Sequence, residues 1–193
     1  MAGKIGVLAL QGDVSEHIAA FGRALGTDYP EMVVVPVRRA EQLAGLDAIA
    51  LPGGESTTIS RLIEKNGMHR PLAEFEGGIF ATCAGMVLVA SEVDDPRVHP
   101  LGVMDIRVER NAFGRQAASH ESYIEILGLG EPFHAVFIRA PVVSRAGLGV
   151  AVLARTPQGI VAVRQGRHMA FSFHPELSGD LRLHRLFLEN LFR

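Results

Sequence analysis

The sequence predicts an α/β fold in a single domain spanning residues 1–193, with a mixed, largely parallel central sheet and helices on both faces. Short, continuous apolar segments alternate with helical patterns in the first half of the chain, which is typical of strands buried on both faces of a parallel sheet. In the second half, strand patterns follow one another with connections too short for a crossover helix, which indicates antiparallel pairs. A length of 193 residues favours one domain over two.

The first half of the chain alternates predicted strands with predicted helices. The strands are Ile5–Leu10, Met32–Val37, Ala48–Leu51 and Ile79–Ala81. Asp13 and Glu16 form a capping-box pattern at the start of the first helix, and Gly26 marks its end. The second helix follows Ser56–Thr58 and stops at Asn66–Gly67. This alternation predicts strands that are joined by helices and therefore run parallel.

The second half of the chain is predicted to consist mainly of strands, separated by Gly, Pro and polar turns. These strands are Glu121–Ile126, Ala135–Ile138, Val150–Ala154, Ile160–Arg164 and Met169–Phe173. A final helix over about residues 180–192 presents an apolar stripe, which we interpret as core packing. The stripe is formed by Leu183, Leu186, Phe187 and Leu191.

Charge and hydropathy exclude several classes of protein. The 19 Lys and Arg residues balance 21 Asp and Glu residues without a dense basic run, so we expect no nucleic acid and no membrane among its partners. No apolar run approaches the ~18 residues that span a bilayer, and the first residues lack the apolar core of a signal peptide. We therefore expect a cytoplasmic protein.

The chain has a single cysteine, Cys83, which excludes an internal disulfide and a cysteine-rich zinc site. An isolated cysteine is by default a small buried side chain, but Cys83 lies where a predicted buried strand ends and a helix begins. A nucleophile on such a turn is held outward, and the small residues Ala81 and Gly85 let the strand and the helix approach each other. Backbone N–H groups at the helix start favour a thiolate. The position therefore favours a reactive thiol.

A cysteine nucleophile needs a base, and the pair His174 and Glu176 is the best candidate for that role. Pro175 disfavours helix at His174, so we expect both side chains to lie in extended chain and to project to the same side. Glu176 would then orient the imidazole while the other ring nitrogen faces Cys83. A histidine at a strand end is otherwise an ordinary buried residue, but among eight histidines only His174 has a carboxylate two positions later as well.

A glycine turn lies between the third predicted strand and the second predicted helix. It lacks the Gly-Lys-Ser/Thr sequence of a phosphate loop and Glu55 would repel phosphate, so we expect no nucleotide. Gly53 and Gly54 permit a backbone N–H to point at an oxyanion. An ordinary turn with Ser56 or Thr57 as the helix cap is the other interpretation, and both can hold together. No His-Glu-x-x-His or paired-cysteine spacing is present, so we expect no metal site.

Several motifs resemble those of class I glutamine amidotransferases, and more narrowly those of the glutaminase subunits of pyridoxal 5′-phosphate synthase. The motifs extend over nearly the whole chain and are Leu10–Gly12, Pro52–Thr58, Thr82–Gly85, Glu109–Gln116, Phe137–Pro141 and Phe171–Glu176. The block Glu109–Gln116 is the most discriminating, because the catalytic elements alone fit several amidotransferases. One position departs from the family, which usually has Gly where this chain has Ala81. Alanine is small enough for the turn, so we expect activity to survive.

The resemblance implies a flavodoxin-like three-layer sandwich and a set of roles for individual residues. Cys83 is the implied nucleophile, His174 the general base and then acid, and Glu176 the residue that orients His174. The residues implied to contact the substrate L-glutamine are Gly54, Glu55, Ser56, Arg110, Ile138 and Arg139. The implied oxyanion donors are the backbone N–H groups of Gly54 and Ala84. The implied reaction releases ammonia and L-glutamate through a cysteine thioester, without a cofactor.

The resemblance also implies a partner, the synthase subunit of pyridoxal 5′-phosphate synthase, in a hetero-oligomeric complex that uses the ammonia in vitamin B6 biosynthesis. Gln11 is the candidate residue for the interface with that partner. Glycine tolerates either orientation of the peptide between Gly53 and Gly54. We therefore hypothesise that the oxyanion donor points away until the partner docks near Gln11.

Two other functions remain open from the sequence. One is the glutaminase subunit of another class I amidotransferase, such as imidazole glycerol phosphate synthase, because the same catalytic residues serve all of them. The other is a non-catalytic binding protein of the same fold, which the presence of Cys83, His174 and Glu176 disfavours because binding alone has no chemical need for them. A cysteine peptidase is disfavoured because nothing in the sequence indicates an extended cleft for a peptide.

Overall fold

The computed structural model describes residues 3–110 and 119–192. Its strands are β1 (Lys4–Leu8), β2 (Val33–Val37), β3 (Ala48–Leu51), β4 (Gly78–Thr82), β5 (Ala90–Val93), β6 (Met104–Glu109), β7 (Ser119–Ile124), β8 (Phe133–Ile138), β9 (Val142–Ala146), β10 (Ala151–Thr156), β11 (Gly159–Gln165) and β12 (His168–Phe171). Its α-helices are α1 (Val14–Leu25), α2 (Ser56–Lys65), α3 (His69–Ala73), α4 (Ala84–Val89) and α5 (Arg182–Phe192). Short 3-10 turns lie at Ala40–Leu43 and Pro175–Leu177. No helix within the described ranges is long and apolar enough to cross a membrane.

A ten-stranded sheet forms the centre of the described chain, with strands side by side in the order β2-β1-β3-β4-β12-β11-β9-β6-β5 and with β10 paired to β11. The strands from β2 to β12 in this order are parallel neighbours. Beyond β12 the pairs with β11, β9 and β6 are antiparallel, and β5 joins β6 in parallel. Strands β7 and β8 form a separate antiparallel hairpin. The mixed, largely parallel sheet predicted from the sequence is therefore confirmed.

Helices cover both faces of the sheet, so the molecule has three layers. Side chains alternate between the faces along each strand. On β4, Ile79 and Ala81 belong to a core cluster that includes side chains of α2, α3 and α4. Phe80, between them, belongs to a second cluster with side chains of α1, α5 and the β7–β8 hairpin. The continuous apolar runs predicted as two-sided strands thus bury both of their faces.

Most predicted elements are present with shifted ends. The first strand ends at Leu8 rather than Leu10, and the last one ends at Phe171 rather than Phe173. Four elements, α3, β5, β6 and β9, are not predicted from the sequence. Strand β6 alternates buried and accessible residues over Met104–Glu109, and this period of two is the signal by which it is recognisable.

The helix caps differ from those predicted. Asp13 precedes α1, but its side chain makes no capping hydrogen bond, so the predicted capping box is wrong. At α2 the cap is Glu55, whose carboxylate accepts hydrogen bonds from the N–H groups of Thr57 and Thr58, and not Ser56 or Thr57. Carboxylates at a helix start are favourable because they face its unpaired N–H groups. The carboxylate of Asp13 lies elsewhere, in the candidate site described next.

Candidate active site

The candidate site lies at the carboxyl ends of neighbouring parallel strands, where ligands of open α/β sheets bind. Cys83 follows β4, His174 follows β12, and the glycine turn follows β3. The segment that contains Gln11 and Asp13 follows β1. The topology therefore gathers at one edge of the sheet residues that are far apart in the sequence.

Cys83 occupies a strained turn between β4 and α4. Its φ of 48° and ψ of −105° lie in the left-handed half of conformational space, which residues other than glycine rarely adopt. Its N–H donates to the carbonyl of Phe171 at 2.8 Å, which ties the turn to β12. Its side chain is largely buried, and Sγ lies 3.7 Å from the carbonyl oxygen of Ile138. The strand–cysteine–helix turn predicted from the sequence is present.

Small residues allow α4 to approach the sheet at this turn. A Cβ atom on Gly85 would lie 2.0 Å from the carbonyl oxygen of Leu51, so α4 and β3 are in closer contact than any side chain permits. Ala81 is fully buried within β4 and lies beside Leu51 and Ala170 in the sheet. The methyl group of Ala81, where the family usually has glycine, is thus accommodated as part of the core.

His174 follows β12, and its N–H donates to the carbonyl of Val136 at 2.9 Å. Its Nδ1 lies 2.7 Å from Oε1 of Glu176, and both side chains are buried. Glu176 lies in the 3-10 turn Pro175–Leu177, so the prediction of extended chain at this position is wrong. Proline is pre-organised for the first position of a helical turn, and the turn still brings the carboxylate to the imidazole. Because Nδ1 faces Glu176, the other ring nitrogen is available to Cys83.

Three neighbours stabilise the charged form of the His174 ring. Burial alone disfavours the imidazolium and would lower the pKa of His174. Hydrogen bonds with Asp13, Cys83 and Glu176, together with the negative charge of Glu176, outweigh burial and raise the pKa of His174 well above its ordinary value of 6.5. The ring is therefore suited to accept a proton and to hold it beside Cys83.

A second buried histidine, His17 of α1, connects Glu176 to the glycine turn. Its Nε2 lies 3.0 Å from Oγ1 of Thr82 and 3.5 Å from Oε1 of Glu176. Burial lowers the pKa of His17, so its ring is neutral. The Thr82 hydroxyl oxygen also accepts the N–H of Gly53 at 3.1 Å. No role for His17 or Thr82 is predicted from the sequence, although His17 follows Asp13 by one helical turn and therefore faces the same side of α1.

The glycine turn is held by the segment that follows β1. The carbonyl oxygen of Gly53 accepts the N–H of Asp13 at 3.2 Å. The N–H of Glu55 donates to Oε1 of Gln11 at 2.9 Å. A trans peptide points its C=O and N–H in opposite directions, so the N–H of Gly54 faces away from Asp13. Gln11 thus contacts the glycine turn, as the hypothesis of a partner that docks near Gln11 requires.

A cavity of about 310 Å³ opens beside Cys83. It is lined by Gly54, Glu55, Ser56, Cys83, Ala84, Val87, Arg110, Arg139 and Pro141. The lining includes every predicted glutamine contact except Ile138. Ile138 is 38% exposed as a residue, and its carbonyl instead faces the sulfur of Cys83. Gln11 is not part of the lining, and Val87 and Pro141 were not anticipated. The size suits a small polar metabolite.

Opposite charges face each other in this cavity. Nη2 of Arg110 lies 3.1 Å from Oε1 of Glu55, and Nη1 contacts the carboxylate of Asp95. Burial would raise the pKa of Glu55, but hydrogen bonds from Thr57 and Thr58 outweigh it and lower that pKa to about 2. The cavity therefore presents both a fixed carboxylate and a guanidinium, which suits a ligand that carries both charges.

One cluster has donor atoms close enough to share a metal ion. The ligand atoms of Asp13, His174 and Glu176 lie within 4.8 Å of one another. A metal ion would need His174 Nδ1 without a proton, whereas that nitrogen faces both carboxylates at hydrogen-bonding distance. We therefore interpret the cluster as hydrogen-bonded.

The discriminating block predicted at Glu109–Gln116 lies outside the described residues from Asn111 onward.

Known proteins resemble the chain over nearly its whole length. The pyridoxal 5′-phosphate synthase subunit PdxT of Methanoculleus marisnigri is 69% identical over 191 residues, which cover 99% of this chain and 99% of that protein. The protein of the same name from Methanosphaerula palustris is 67% identical over 190 residues, which cover 97% of each. A crystal structure of a glutamine amidotransferase is 49% identical and has a TM-score of 0.88, covering 97% of this chain and 98% of that one.

A family-level comparison agrees with the motifs and with the fold. The sequence profile described as the SNO glutamine amidotransferase family matches residues 7–193. The amidotransferase resemblance inferred from the motifs and the three-layer α/β fold are both confirmed. The enzyme class follows from the same match, because this is a family of glutamine amidotransferases. The chain belongs to the SNO glutamine amidotransferase family.

Proposed function

We propose that this chain is the glutaminase subunit of a pyridoxal 5′-phosphate synthase and hydrolyses L-glutamine to L-glutamate and ammonia. The observation that carries the proposal is a cysteine in a strained turn, beside the buried pair of His174 and Glu176, at the edge of a small charged cavity. The names of the PdxT relatives supply the specific pathway. We also propose that the protein is cytoplasmic, because a free thiol is stable in that reducing compartment.

The reaction begins when the thiol of Cys83 passes its proton to Nε2 of His174 and the sulfur attacks the side-chain amide carbon of glutamine. The carbonyl electrons move onto oxygen, which becomes an oxyanion. When the tetrahedral intermediate collapses, the carbon–nitrogen bond breaks and His174 returns the proton to the leaving nitrogen, which departs as ammonia. Glu176 holds the imidazolium in place during this step.

Hydrolysis of the glutamyl thioester completes the cycle. His174, neutral again, takes a proton from a water molecule whose oxygen attacks the thioester carbon. Collapse of the second oxyanion breaks the carbon–sulfur bond, the sulfur regains a proton from His174, and glutamate leaves. The backbone N–H groups of Gly54 and Ala84 are the proposed oxyanion donors. One such donor contributes about 3–4 kcal/mol to the transition state of acyl transfer.

The charged cavity supports the recognition of glutamine as a free amino acid. Arg110 is proposed to bind its α-carboxylate, and Glu55 to face its α-ammonium group. Arg139, Ser56 and Ile138 complete the proposed contacts. Arg139 has a left-handed backbone with φ of 45°, and Ile138 places its carbonyl at the sulfur, so this short segment is built around the site.

The proposed partner is a synthase subunit that receives the ammonia in a hetero-oligomeric complex. Gln11 is the proposed contact, because it holds the turn that carries Gly54 and Glu55. Docking beside Gln11 would act directly on the orientation of the Gly53–Gly54 peptide. We expect the glutaminase rate to rise when the synthase is added. Equal rates with and without it would remove this idea.

The decisive experiment measures glutamate released from glutamine by the purified chain mixed with the synthase subunit. We expect Cys83→Ser to abolish turnover and to leave folding intact, because the serine side chain has the same shape and is only slightly smaller. Retained activity in that variant would contradict the mechanism. If this chain is active only with the synthase subunit of another amidotransferase, it is instead the glutaminase subunit of that enzyme.

A further inference from the structure

Asp13 lies directly before α1, yet its side chain does not cap that helix. Its Oδ2 lies 3.3 Å from Nδ1 of His174, the same nitrogen that lies 2.7 Å from Oε1 of Glu176. The imidazole therefore presents one nitrogen to two carboxylates. An N-cap contributes about 1 kcal/mol to a helix. Asp13 lacks this capping contribution and contacts His174 instead, which indicates that the contact between Asp13 and His174 has a role.

The carboxylate of Glu176, which pairs with the imidazole, has an incomplete set of hydrogen bonds. Its Oε1 also lies 3.5 Å from Nε2 of His17. Its Oε2 is buried and has no hydrogen-bond partner among the described residues. A buried polar atom without a hydrogen-bond partner is costly to the fold. Asp13 is less buried than Glu176, because its side chain is 36% exposed.

We propose that Asp13 is a positioning residue for the glutaminase reaction, which together with Glu176 fixes the orientation and tautomer of His174 and stabilises its charged form. The inference rests on the proposed function of Cys83 and His174. Asp13 does not line the cavity, so it acts through the imidazole and not on the substrate. The hydrogen bond with His174 also lowers the pKa of Asp13, which keeps the carboxylate ionised.

The backbone keeps residue 13 in place independently of its side chain. The N–H of Asp13 donates to Gly53 at 3.2 Å, and its carbonyl accepts the N–H of His17 at 3.2 Å. A substitution that changes only the carboxylate therefore leaves the turn anchored. Asp13→Asn preserves the shape and removes the charge, so it separates electrostatics from packing.

The titratable groups that act on His174 are Asp13, Glu176, Cys83 and His17. In the proposed reaction the thiol of Cys83 exchanges a proton with the ring, so its presence would obscure the effect of Asp13. Burial keeps His17 neutral, and Glu176 is unchanged in every variant compared. A Cys83→Ser background therefore isolates the contribution of Asp13 to the titration of the ring.

The direct test is a pH titration of the His174 side chain by nitrogen-15 NMR in the Cys83→Ser chain, with and without Asp13→Asn. A neighbouring opposite charge shifts a pKa by about one unit or more, and we expect Asp13→Asn to lower that of His174 by about one unit. The matched control is Glu16→Gln, which removes the same charge from the exposed first turn of α1 without contacting His174. An equal shift in both variants, or no shift with Asp13→Asn, overturns the proposal.

The kinetic test uses the full chain with its synthase partner. We expect Asp13→Asn to lower kcat about threefold to tenfold, a small part of what general acid–base catalysis contributes, with KM for glutamine unchanged. Asp13→Ser, which can cap α1, is a second uncharged variant and should show the same loss. Wild-type kcat in both variants would overturn the proposal. An inactive wild type would instead refute the proposed function, while the NMR titration still decides whether Asp13 acts on His174.

Discussion

Arg110 is held from two sides before any ligand arrives. One nitrogen of its guanidinium lies 3.1 Å from Glu55, and another contacts Asp95. The side chain is only 16% exposed, so it has few other conformations available. A pre-positioned guanidinium loses less entropy when it binds a carboxylate than a mobile one does. The position of the Arg110 guanidinium in the cavity therefore depends on Asp95 as well as on Glu55, although Asp95 does not line the cavity.

This arrangement predicts that Asp95→Asn weakens glutamine binding more than it slows the chemistry. We expect KM for glutamine to rise about threefold to tenfold with kcat changed by less than about twofold, because the lost contact orients Arg110 and not the reacting atoms. Steady-state kinetics with the synthase present measure both constants. Asp105→Asn is the control, since Asp105 pairs with Arg145 away from the cavity. A fall in kcat at constant KM would contradict the prediction.

At the residue scale, sequence reasoning recovers side chains whose roles depend on local spacing. Cys83 is identified by its position between a strand and a helix, and the His174–Glu176 pair by its separation of two positions. Asp13 and Asp95 are not recoverable in this way. A carboxylate before a helix is consistent with an N-cap, and only the packing of α1 beside the loop after β12 brings Asp13 to His174.

The turn between β4 and α4 is the element on which the site depends most directly. Gly85 is in the first turn of α4 and faces the backbone of β3. We expect Gly85→Ala to lower the free energy of unfolding by about 1–3 kcal/mol, because the new Cβ displaces α4 from a carbonyl that cannot move aside. Glutaminase activity should fall even in the folded variant, since Cys83 is attached to the displaced helix.

Chemical denaturation and the glutaminase assay together check this prediction. Gly22→Ala is the control, because Gly22 lies within α1 and a Cβ there meets nothing within 4 Å. Alanine is the better helix former, so the control should be as stable as the wild type or slightly more stable. A Gly85→Ala chain with normal stability and activity would show that α4 does not pack as closely as described.

Helix α5 contains a histidine that works against stability in acid. The ring of His184 is fully buried between Phe21 and Phe80, and neither nitrogen has a hydrogen-bond partner among the described residues. Burial lowers the pKa of His184 to about 3. The folded chain therefore holds a neutral ring, whereas the unfolded chain binds a proton below its ordinary pKa of 6.5. The free energy of unfolding therefore does not depend on His184 above pH 6.5, and His184 lowers it as the pH falls from 6.5 towards 3.

Replacing the ring should flatten this dependence on pH. We expect His184→Leu to reduce the loss of unfolding free energy on acidification by about 1.4 kcal/mol per pH unit below the ordinary histidine pKa. Urea denaturation at about pH 7 and about pH 5 measures it. Leu188→Val, a buried change in the same helix that removes no titratable group, is the control and should leave the slope unchanged. Parallel slopes for His184→Leu and the wild type would contradict the assignment.

Elements differ in how clearly the sequence predicts them. Strands β3 and β4 are predicted well because both faces are buried and their runs are continuously apolar. Strand β5 was missed because only its first residue is fully buried, so it has no apolar run. Strand β9 was missed because its buried pair is followed by polar residues and its pairing with β6 is a long-range contact. Local pattern predicts the centre of the sheet and not its far edge.

On the scale of the whole molecule, two cores share one sheet. Ile63 of α2 belongs to the core on one face, and Ile5 of β1 belongs to the core on the other. Both side chains are almost completely buried. Each core covers one side of the same parallel strands, so neither can be lost while the sheet remains intact. We therefore expect the chain to unfold as one cooperative unit, as a single domain does.

Matched substitutions in the two cores test this expectation. Ile63→Val and Ile5→Val each remove one buried methylene group and should each cost about 0.5–1.5 kcal/mol. For a chain of this size that corresponds to about 2–4 °C per kcal/mol in Tm. Calorimetry and far-UV circular dichroism should show a single transition that both variants move downwards to a similar extent. Two transitions, with each variant moving only one of them, would mean that the faces of the sheet unfold separately and that the chain is not one folding unit.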